Sequence, residues 1–472
     1  MGTARHLGYR GRRARDALLG FAVGTDNRVP RWRLGNKPWA RPAAGLVWLA
    51  VGVLSALWIL SLVSAAFHSA RTFDFAQEWT SVRNYLAGYP VYLDFGRSLE
   101  IHIGGPASPL FSYNAHPPAA VLLALPFGML EYPTAYLAWT IFSLICFVIS
   151  FWAIVRFGGR GRFGMDALAL LALVVSGNAF AHQMVQGQLN LVVLLLITGA
   201  WVADRKHAAA SSGALIGLAA AFKLFPAFLI LYPLARRNWR AVWGAALAFL
   251  AVNGVAWFLF RTQAYLDYFL RVAPDVTKFR DALPNASLLG FWSKLFDGSF
   301  GEVLPLWHAP LLAKTLAVLS SLLLAAATFW MMDRISRRSV AAESRDTDRG
   351  LSFALCCAGM LLASPITWDH YFLLLIPGVW LAWRATSGRA GFRTLIVVLA
   401  VALLWLNPYS LWQTFLPERY ASNGQVQAVR PAGVLTLVSF QFYALLGFYL
   451  LICVELCRQL TGSNSAAPAD EP

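Results

Sequence analysis

Residues 134–156 read TAYLAWTIFSLICFVISFWAIVR, an apolar run that carries no charge before Arg156. A helix needs roughly 20 such residues to cross about 30 Å of hydrocarbon, so this run predicts a membrane span. Long runs of the same kind lie at 44–66, 239–260, 310–332 and 432–457. Shorter ones at 166–182, 188–203, 369–384 and 391–407 can span when interfacial Trp and Tyr extend them. The composition agrees: of 472 residues, 58% are hydrophobic and only 13% charged. A soluble domain carries about 25% charged residues, so the surface that would keep this chain in water is missing. The predicted fold class is an all-α polytopic membrane protein.

A net charge of +16 in a soluble protein would point to nucleic acid. Here the basic residues cluster in short loops between apolar runs, which is how a membrane protein marks its cytoplasmic side. The lipid bilayer is therefore the expected partner, and nucleic acid is not. The five cysteines, Cys146, Cys356, Cys357, Cys453 and Cys457, all fall inside apolar runs and form no disulfide framework or paired metal spacing. Residues 1–43 are basic and lead into a run too long for a cleavable signal peptide, so they read as a cytoplasmic segment before a signal anchor. Residues 44–457 then form one transmembrane domain. Residues 458–472, rich in Ala, Ser and Pro beyond Thr461, read as a disordered cytoplasmic tail.

Two apolar stretches are interrupted. Lys223 and Pro226 break 210–235, and Ser364, Pro365 and the polar segment 367–370 break 351–384. A charge at mid-membrane costs about 2.5–3.5 kcal/mol on insertion scales. Two short helices meeting at a polar bend avoid that cost if the bend lies near the interface or in a cavity. The basic loops at 156–162, 204–207, 236–240, 333–349, 384–393 and 458 share one side with the N-terminus only if both stretches are split. The segment 118–130, between Pro117-Pro118 and Pro133, must then dip in and return or lie on the surface. The resulting topology has about twelve spans with both termini inside. It places every polar motif on the outer face.

Those motifs are few. Asp74, in Arg71-Thr-Phe-Asp74-Phe-Ala-Gln-Glu78, follows the first span almost at once. It suits a general base for a hydroxyl or a cap for a helix over 75–87. His116, in Tyr113-Asn-Ala-His116-Pro-Pro118, suits phosphate binding or an aromatic interface. Gln188 and Asn190 open a span after a short bend, fitted to hydroxyl or phosphate recognition or to interhelical hydrogen bonds. His182 is a weaker candidate one turn earlier. Lys223, in Phe222-Lys223-Leu-Phe-Pro226, needs a carboxylate or phosphate partner unless it snorkels to the interface. Asn285 and Ser287 match a glycosylation sequon, a short and common pattern. Ser364-Pro-Ile-Thr-Trp368-Asp369-His370 brings indole, carboxylate and imidazole to a helix start, a combination that favours function.

Together and in this order, these pieces resemble glycosyltransferase family 87, within the GT-C superfamily of polyprenyl-phosphate-sugar-dependent enzymes. The resemblance runs from about residue 50 to residue 385. It implies a GT-C-like bundle at the bacterial cytoplasmic membrane, with an active site on the outer face. The implied reaction moves a hexose or pentose, mannose first, from a polyprenyl-phosphate donor to a hydroxyl of a lipid or glycan acceptor, with inversion. Asp74 would be the base, with Glu78 one turn later leaving that assignment open. His370 would lie near the donor, oriented by Asp369. Lys223 would neutralise the leaving phosphate. Gln188, Asn190, His116, Asn285 and Trp368 would belong to the donor or substrate site. No cofactor is implied, and no paired acidic motif indicates a metal. A lipid-linked-glycan flippase or transporter is the alternative. It would place polar groups through the midplane and show repeated halves, neither of which is evident. Acyl transfer in the membrane would also use a His/Asp pair.

Overall fold

The computed structural model describes residues 50–61, 64, 74–104, 112–159, 163–338, 342–416 and 427–462. The basic segment 1–43, the start of the first loop and the tail beyond 462 lie outside the described residues. Residues 1–51 and 52–472 form separate units, and the architecture below is that of the second. It is all-helical, and among the described residues the one pairing of β type is a single bridge between Val303 and Val429.

A short apolar helix, α1 (Ala50–Ser61), is described within the first predicted span. The first outer segment then supplies α2 (Asp74–Leu86), α3 (Phe95–His102) and α4 (Pro118–Gly128). The opening run becomes α5 (Tyr132–Phe157), two residues longer at its start and one at its end than read from sequence. Next come α6 (Met165–Val175), α7 (Asn178–Gln186), α8 (Asn190–Arg205) and α9 (Ala209–Phe222). A 3-10 turn over Phe225–Ile230 runs into α10 (Leu231–Ala235), followed by α11 (Trp239–Asp267). Beyond the loop helix α12 (Leu288–Phe296) lie α13 (Pro310–Ser336) and α14 (Ala342–Ala363). A 3-10 segment, Asp369–Leu375, leads to α15 (Ile376–Ala385), then α16 (Ala390–Ala400), α17 (Pro408–Phe415) and α18 (Phe440–Gly462).

The breaks expected from sequence are present. Lys223 is extended (φ −141°, ψ 132°) and separates α9 from the Pro226 turn. Residues 364–368 are non-helical between α14 and the 3-10 segment. A third break is sharper than expected. Gly187 adopts left-handed φ/ψ (64°, 35°) at the end of α7, a conformation that costs glycine little. The predicted end of a span at residue 260 coincides with a kink at Arg261 (φ 66°, ψ 172°) inside α11.

Length and composition alone mark out fewer than twelve spans among the described residues. Four helices there, α5, α11, α13 and α18, are individually long and apolar enough to cross a membrane. The bent pairs α6–α7 (53°) and α16–α17 (87°) raise this to six. The other apolar segments are too short alone: the 14 residues of α9 reach about 21 Å at 1.5 Å per residue. Even so, four to six apolar helices make this a multi-pass membrane protein. Its outer helices expose large apolar side chains, such as Leu247 and Leu250 on α11 and Leu322 and Leu323 on α13. In water such surface would be a liability, whereas in lipid it is the ordinary exterior.

Small residues hold α9 against α11. A Cβ built on Gly213 would stand 1.8 Å from the Ala241 carbonyl oxygen, and one on Gly217 would stand 2.1 Å from that of Ala245. In return, Gly244 presses on the Ala210 carbonyl, where a Cβ would stand at 2.4 Å. Where lipid tails are as apolar as leucine, association comes from such close backbone packing. This contact fixes α9, and so it fixes where Lys223 emerges.

Candidate active site

Three helix ends converge on a cavity of about 310 Å³. The start of α2 brings Asp74 and Gln77, the Gly187 break brings Gln188, and the end of α9 brings Lys223. His116 and Pro117, ahead of α4, form another part of the wall. The loop after α11 contributes Tyr268 and Arg280, and the break after α14 contributes Ser364–Ile366, Trp368 and Tyr371. Much of the rest is apolar, with Leu224, Phe225 and Leu289 among the lining residues.

Among the described residues, Asp74 is the one carboxylate on the cavity wall. An acidic residue in a first helical turn is favoured by the exposed N–H groups there. One turn on, Gln77 donates to Asp74 Oδ1 at 2.8 Å. From the opposite direction, Gln188 Nε2 donates to Asp74 Oδ2. The other end of the same amide, Gln188 Oε1, accepts from Lys223 Nζ at 2.8 Å. Asn190 Oδ1 accepts a second bond from Lys223 at 2.9 Å, and the Tyr371 ring lies 4.3 Å below the ammonium. One amide therefore ties the cavity's anion to its buried cation.

The shape of the Gly187 break explains how Gln188 reaches both. The carbonyls ending α7 are held by α5: Tyr136 donates to Met184 at 2.9 Å and Trp139 to Gly187 at 2.7 Å. The Gln183 side chain donates to the Gln188 carbonyl at 2.5 Å and accepts from Asn190 at 3.0 Å. A Cβ on Gly187 would stand 2.7 Å from that of Phe75, beside Asp74. Only glycine allows this turn to pack so close to α2.

The structure sorts the residues singled out in the sequence. Asp74, His116, Gln188, Lys223 and Trp368 line the cavity. Glu78 is buried and does not, which separates it from Asp74. It accepts from Asn114 at 3.1 Å and stands in ion-pair contact with His116 Nδ1 at 2.5 Å, off the hydrogen-bonding direction. Asn190 is buried behind Lys223. Asn285 is wholly buried, its amide donating to the Arg280 and Pro365 carbonyls and accepting from the Ser287 and Thr367 N–H groups. It clamps the loop after α11 to the 364–367 break and faces no solvent as a sequon would.

Asp369 and His370 are not among the residues that line the cavity, though Trp368 and Tyr371 on either side of them are. Asp369 accepts from Asn178 at 2.7 Å, His182 Nδ1 at 2.8 Å and the His370 N–H at 2.8 Å. The His370 ring packs edge-on against Tyr371, which does reach the wall. Its Nε2 is buried with no hydrogen-bond partner among the described residues. His182, Asp369 and His370 bring ligand-type atoms within 4.8 Å of one another. Among the described residues they are the group that could share a cation. Sequence reasoning missed it because His182 was weighed apart from the Asp369-His370 pair.

Several lining residues were not singled out as candidates, Gln77, Tyr268 and Arg280 among them. Gln77 is three residues after Asp74, a spacing that puts both on one helix face, so the pattern could have found it. Tyr371 closes the motif that begins at Ser364, but its residue type suggested no role. Tyr268 and Arg280 lie in a loop with many charges and gave no signal. Arg280 is held by Asp297 Oδ2 at 2.5 Å and by the Thr277 carbonyl at 3.0 Å.

Comparison with known proteins identifies the family. The family model described as glycosyltransferase family 87 matches residues 114–365, more than half of the chain. The match spans His116, Gln188, Asn190, Lys223 and Asn285, and it leaves Asp74 and Trp368–His370 outside. A polyprenol-phosphate-mannose-dependent alpha-(1-2)-phosphatidylinositol mannoside mannosyltransferase of Mycobacterium tuberculosis is 26% identical over 372 residues, covering 74% of this chain and 79% of that protein. A polyprenol-phosphate-mannose-dependent alpha-(1-2)-phosphatidylinositol pentamannoside mannosyltransferase of Mycolicibacterium smegmatis is 28% identical, covering 69% and 76%. An alpha-(1->3)-arabinofuranosyltransferase of M. tuberculosis is 26% identical, covering 75% and 79%. No solved structure matches the chain significantly. An all-helical membrane chain with this ordered set of residues, and with a family match over more than half its length, belongs to glycosyltransferase family 87.

Proposed function

We propose that this glycosyltransferase moves a mannosyl residue, or failing that a pentosyl residue, from a polyprenyl phosphate to a hydroxyl of a lipid or glycan acceptor. The observation that carries the reading is the Asp74–Gln188–Lys223 chain on the cavity wall. Asp74 takes the proton of the acceptor hydroxyl. That oxygen then attacks the anomeric carbon as the bond to the phosphate oxygen breaks. Lys223 offsets the charge that develops on the leaving phosphate, an effect worth several kcal/mol in a site closed to water. Among the described residues the wall presents one carboxylate and no second one to act as nucleophile, which supports a single displacement with inversion. His116 and Trp368 line the sugar and phosphate space. Asn190, Glu78, Asp369 and His370 act from behind the wall: Asn190 on Lys223, Glu78 on His116, and the other two on Tyr371. Asn285 holds the wall's loops together. No metal takes part in this scheme.

The same reading places residues 44–457 in the bacterial cytoplasmic membrane as about twelve spans, with segments 1–43 and 458–472 on the cytoplasmic side. The cavity opens on the outer face. Support comes from α14, which has Arg349 near its start and leads at its other end into Ser364–Ile366 of the cavity wall. Single cysteines at the exposed positions Tyr89 and Arg334 should label from opposite sides of sealed vesicles. Labelling from one side would break the topology. The function itself is tested in membranes containing the chain, supplied with radiolabelled polyprenyl-phosphate mannose, polyprenyl-phosphate arabinose or a nucleotide sugar. The expected result is label passing from the mannosyl lipid to a lipid or glycan product. Transfer from the nucleotide sugar alone would overturn the proposal.

A further inference from the structure

A second cavity, of about 500 Å³, lies at the other end of the bundle. It is bounded by the α10–α11 turn, the end of α13 and the start of α14. Five arginines line it: Arg236, Arg237, Arg337, Arg338 and Arg349. An adjoining hollow of about 370 Å³ shares Arg236, Arg237 and Arg349 and adds Asp204, His207 and Asn238. From Arg349 along α14 to Ala363 is about 20 Å at 1.5 Å per residue, so this cavity is distinct from the one that holds Asp74.

The charges here do not balance. Asp204 accepts from Arg236 at 2.7 Å. Asp333 accepts from Arg237 at 3.0 Å and from Arg337 at 2.8 Å. Asp348 faces Arg338 at only 4.0 Å, too far for a hydrogen bond. Among the described residues, five guanidinium groups thus meet three carboxylates. Arg349 makes no ion pair among the described residues. Arg338 keeps Nε and Nη1 buried with no hydrogen-bond partner among them. Burying guanidinium N–H groups without an acceptor is costly. Bringing five like-charged guanidinium groups to one hollow adds their mutual repulsion, unless an anion compensates them. The planar fork of arginine suits the oxygens of a phosphate.

We infer that this cavity binds a phosphate group, carried either by an anionic phospholipid headgroup or by a soluble phosphorylated molecule. Basic pockets between membrane helices recognise lipid headgroups in this way. The segment Phe225–Ala235 joins the two cavities directly, because Leu224 and Phe225 line the first and Arg236 the second. A ligand here therefore holds the far end of the chain that carries Lys223.

The test uses the purified full chain in neutral detergent, with thermal unfolding as readout. Three probes are added: phosphatidylglycerol, phosphatidylcholine and inorganic pyrophosphate. Phosphatidylglycerol is expected to stabilise the protein where phosphatidylcholine does not. Removing one guanidinium near a phosphate removes about 1 kcal/mol, so Arg349→Gln should weaken the apparent affinity about fivefold. Arg349 has no carboxylate partner to orphan, so this variant should fold. Arg349→Lys, which keeps the charge, should recover part of the response, and Arg97→Gln, on the exposed helix α3, should respond as wild type. Stabilisation by pyrophosphate with phosphatidylglycerol inactive assigns the site to a soluble phosphate and upholds the inference. Equal responses to both lipids with none to pyrophosphate, or a full response from Arg349→Gln, would overturn it.

Discussion

Replacing Gln188 by leucine tests whether the cavity's two charges work as a unit. The substitution keeps the approximate bulk and removes both ends of the bridge between Asp74 and Lys223. Each charged group retains one partner, Gln77 at 2.8 Å for Asp74 and Asn190 at 2.9 Å for Lys223. Neither is orphaned, so the fold should survive. What is lost is orientation. A hydrogen bond to a charged group contributes about 1.5–3 kcal/mol. If one such increment is expressed in the barrier, kcat falls roughly 10- to 150-fold. Uniform binding of the donor is little changed, so KM should move far less than kcat. Gln188→Glu should be worse, because its carboxylate repels Asp74 and pairs with Lys223 in place of the leaving phosphate. The assay is initial-rate transfer in proteoliposomes across a range of donor concentrations. A folded Gln188→Leu variant with kcat within about twofold of wild type would refute the coupling.

Three other changes bear on the frame around the site. Gly213→Ala drives a methyl into the Ala241 carbonyl across the α9–α11 contact. It should lower stability by about 1–3 kcal/mol, read as an earlier thermal transition in detergent; an unshifted transition would mean the helices are free to separate. Asn285→Ala leaves the buried Ser287 and Thr367 N–H groups without their acceptor. A loss of about 1–3 kcal/mol for each orphaned group should open the 364–367 break to proteolysis, whereas wild-type resistance would show the clamp to be dispensable. Lys294, on the loop helix α12, is pushed down to about 7 from 10.5 by burial, with Glu302 and Asp281 opposing the shift. Between those values the unfolded chain binds the extra proton, so stability should rise from pH 7 toward 10.5 and be lost as pH falls through 7. Lys294→Met should flatten that profile, and an equally steep profile in the variant would remove Lys294 as its cause.

The helical membrane class was legible because burial in lipid leaves a plain mark: long apolar runs with charges confined to loops. The breaks at Lys223 and at Ser364-Pro365 were legible for the converse reason, since a charge or proline inside such a run is expensive unless the helix ends there. The count of spans was not legible. Hydropathy cannot tell a 14-residue helix such as α9 from part of a longer one, nor see the 53° bend between α6 and α7. Within the site, the residue types could be read but not their partners. Gln188 looked like a substrate-binding amide, and folding gave both its ends to Asp74 and Lys223. Asp369-His370 looked like a pair facing the donor. The 3-10 turn instead directs them toward Asn178 and His182, contacts made across 191 and 187 residues of chain. Asn285 matched a surface sequon and became the most fully engaged amide of the site. The side chains that Gln188 and Asp369 engage lie too far along the chain to be inferred from sequence.

The central claim is that Asp74 deprotonates the acceptor. Initial rates of sugar transfer from a radiolabelled polyprenyl-phosphate donor, compared between wild type and Asp74→Asn in matched membranes, test it most directly. Asparagine keeps the size and can still accept from Gln77 or Gln188, so the cavity should persist. A positioned general base contributes about 10²–10⁴ in rate. The account predicts a loss of that order for Asp74→Asn, with Glu78→Gln retaining more activity because Glu78 does not face the cavity. Transfer by Asp74→Asn at the wild-type rate would contradict it.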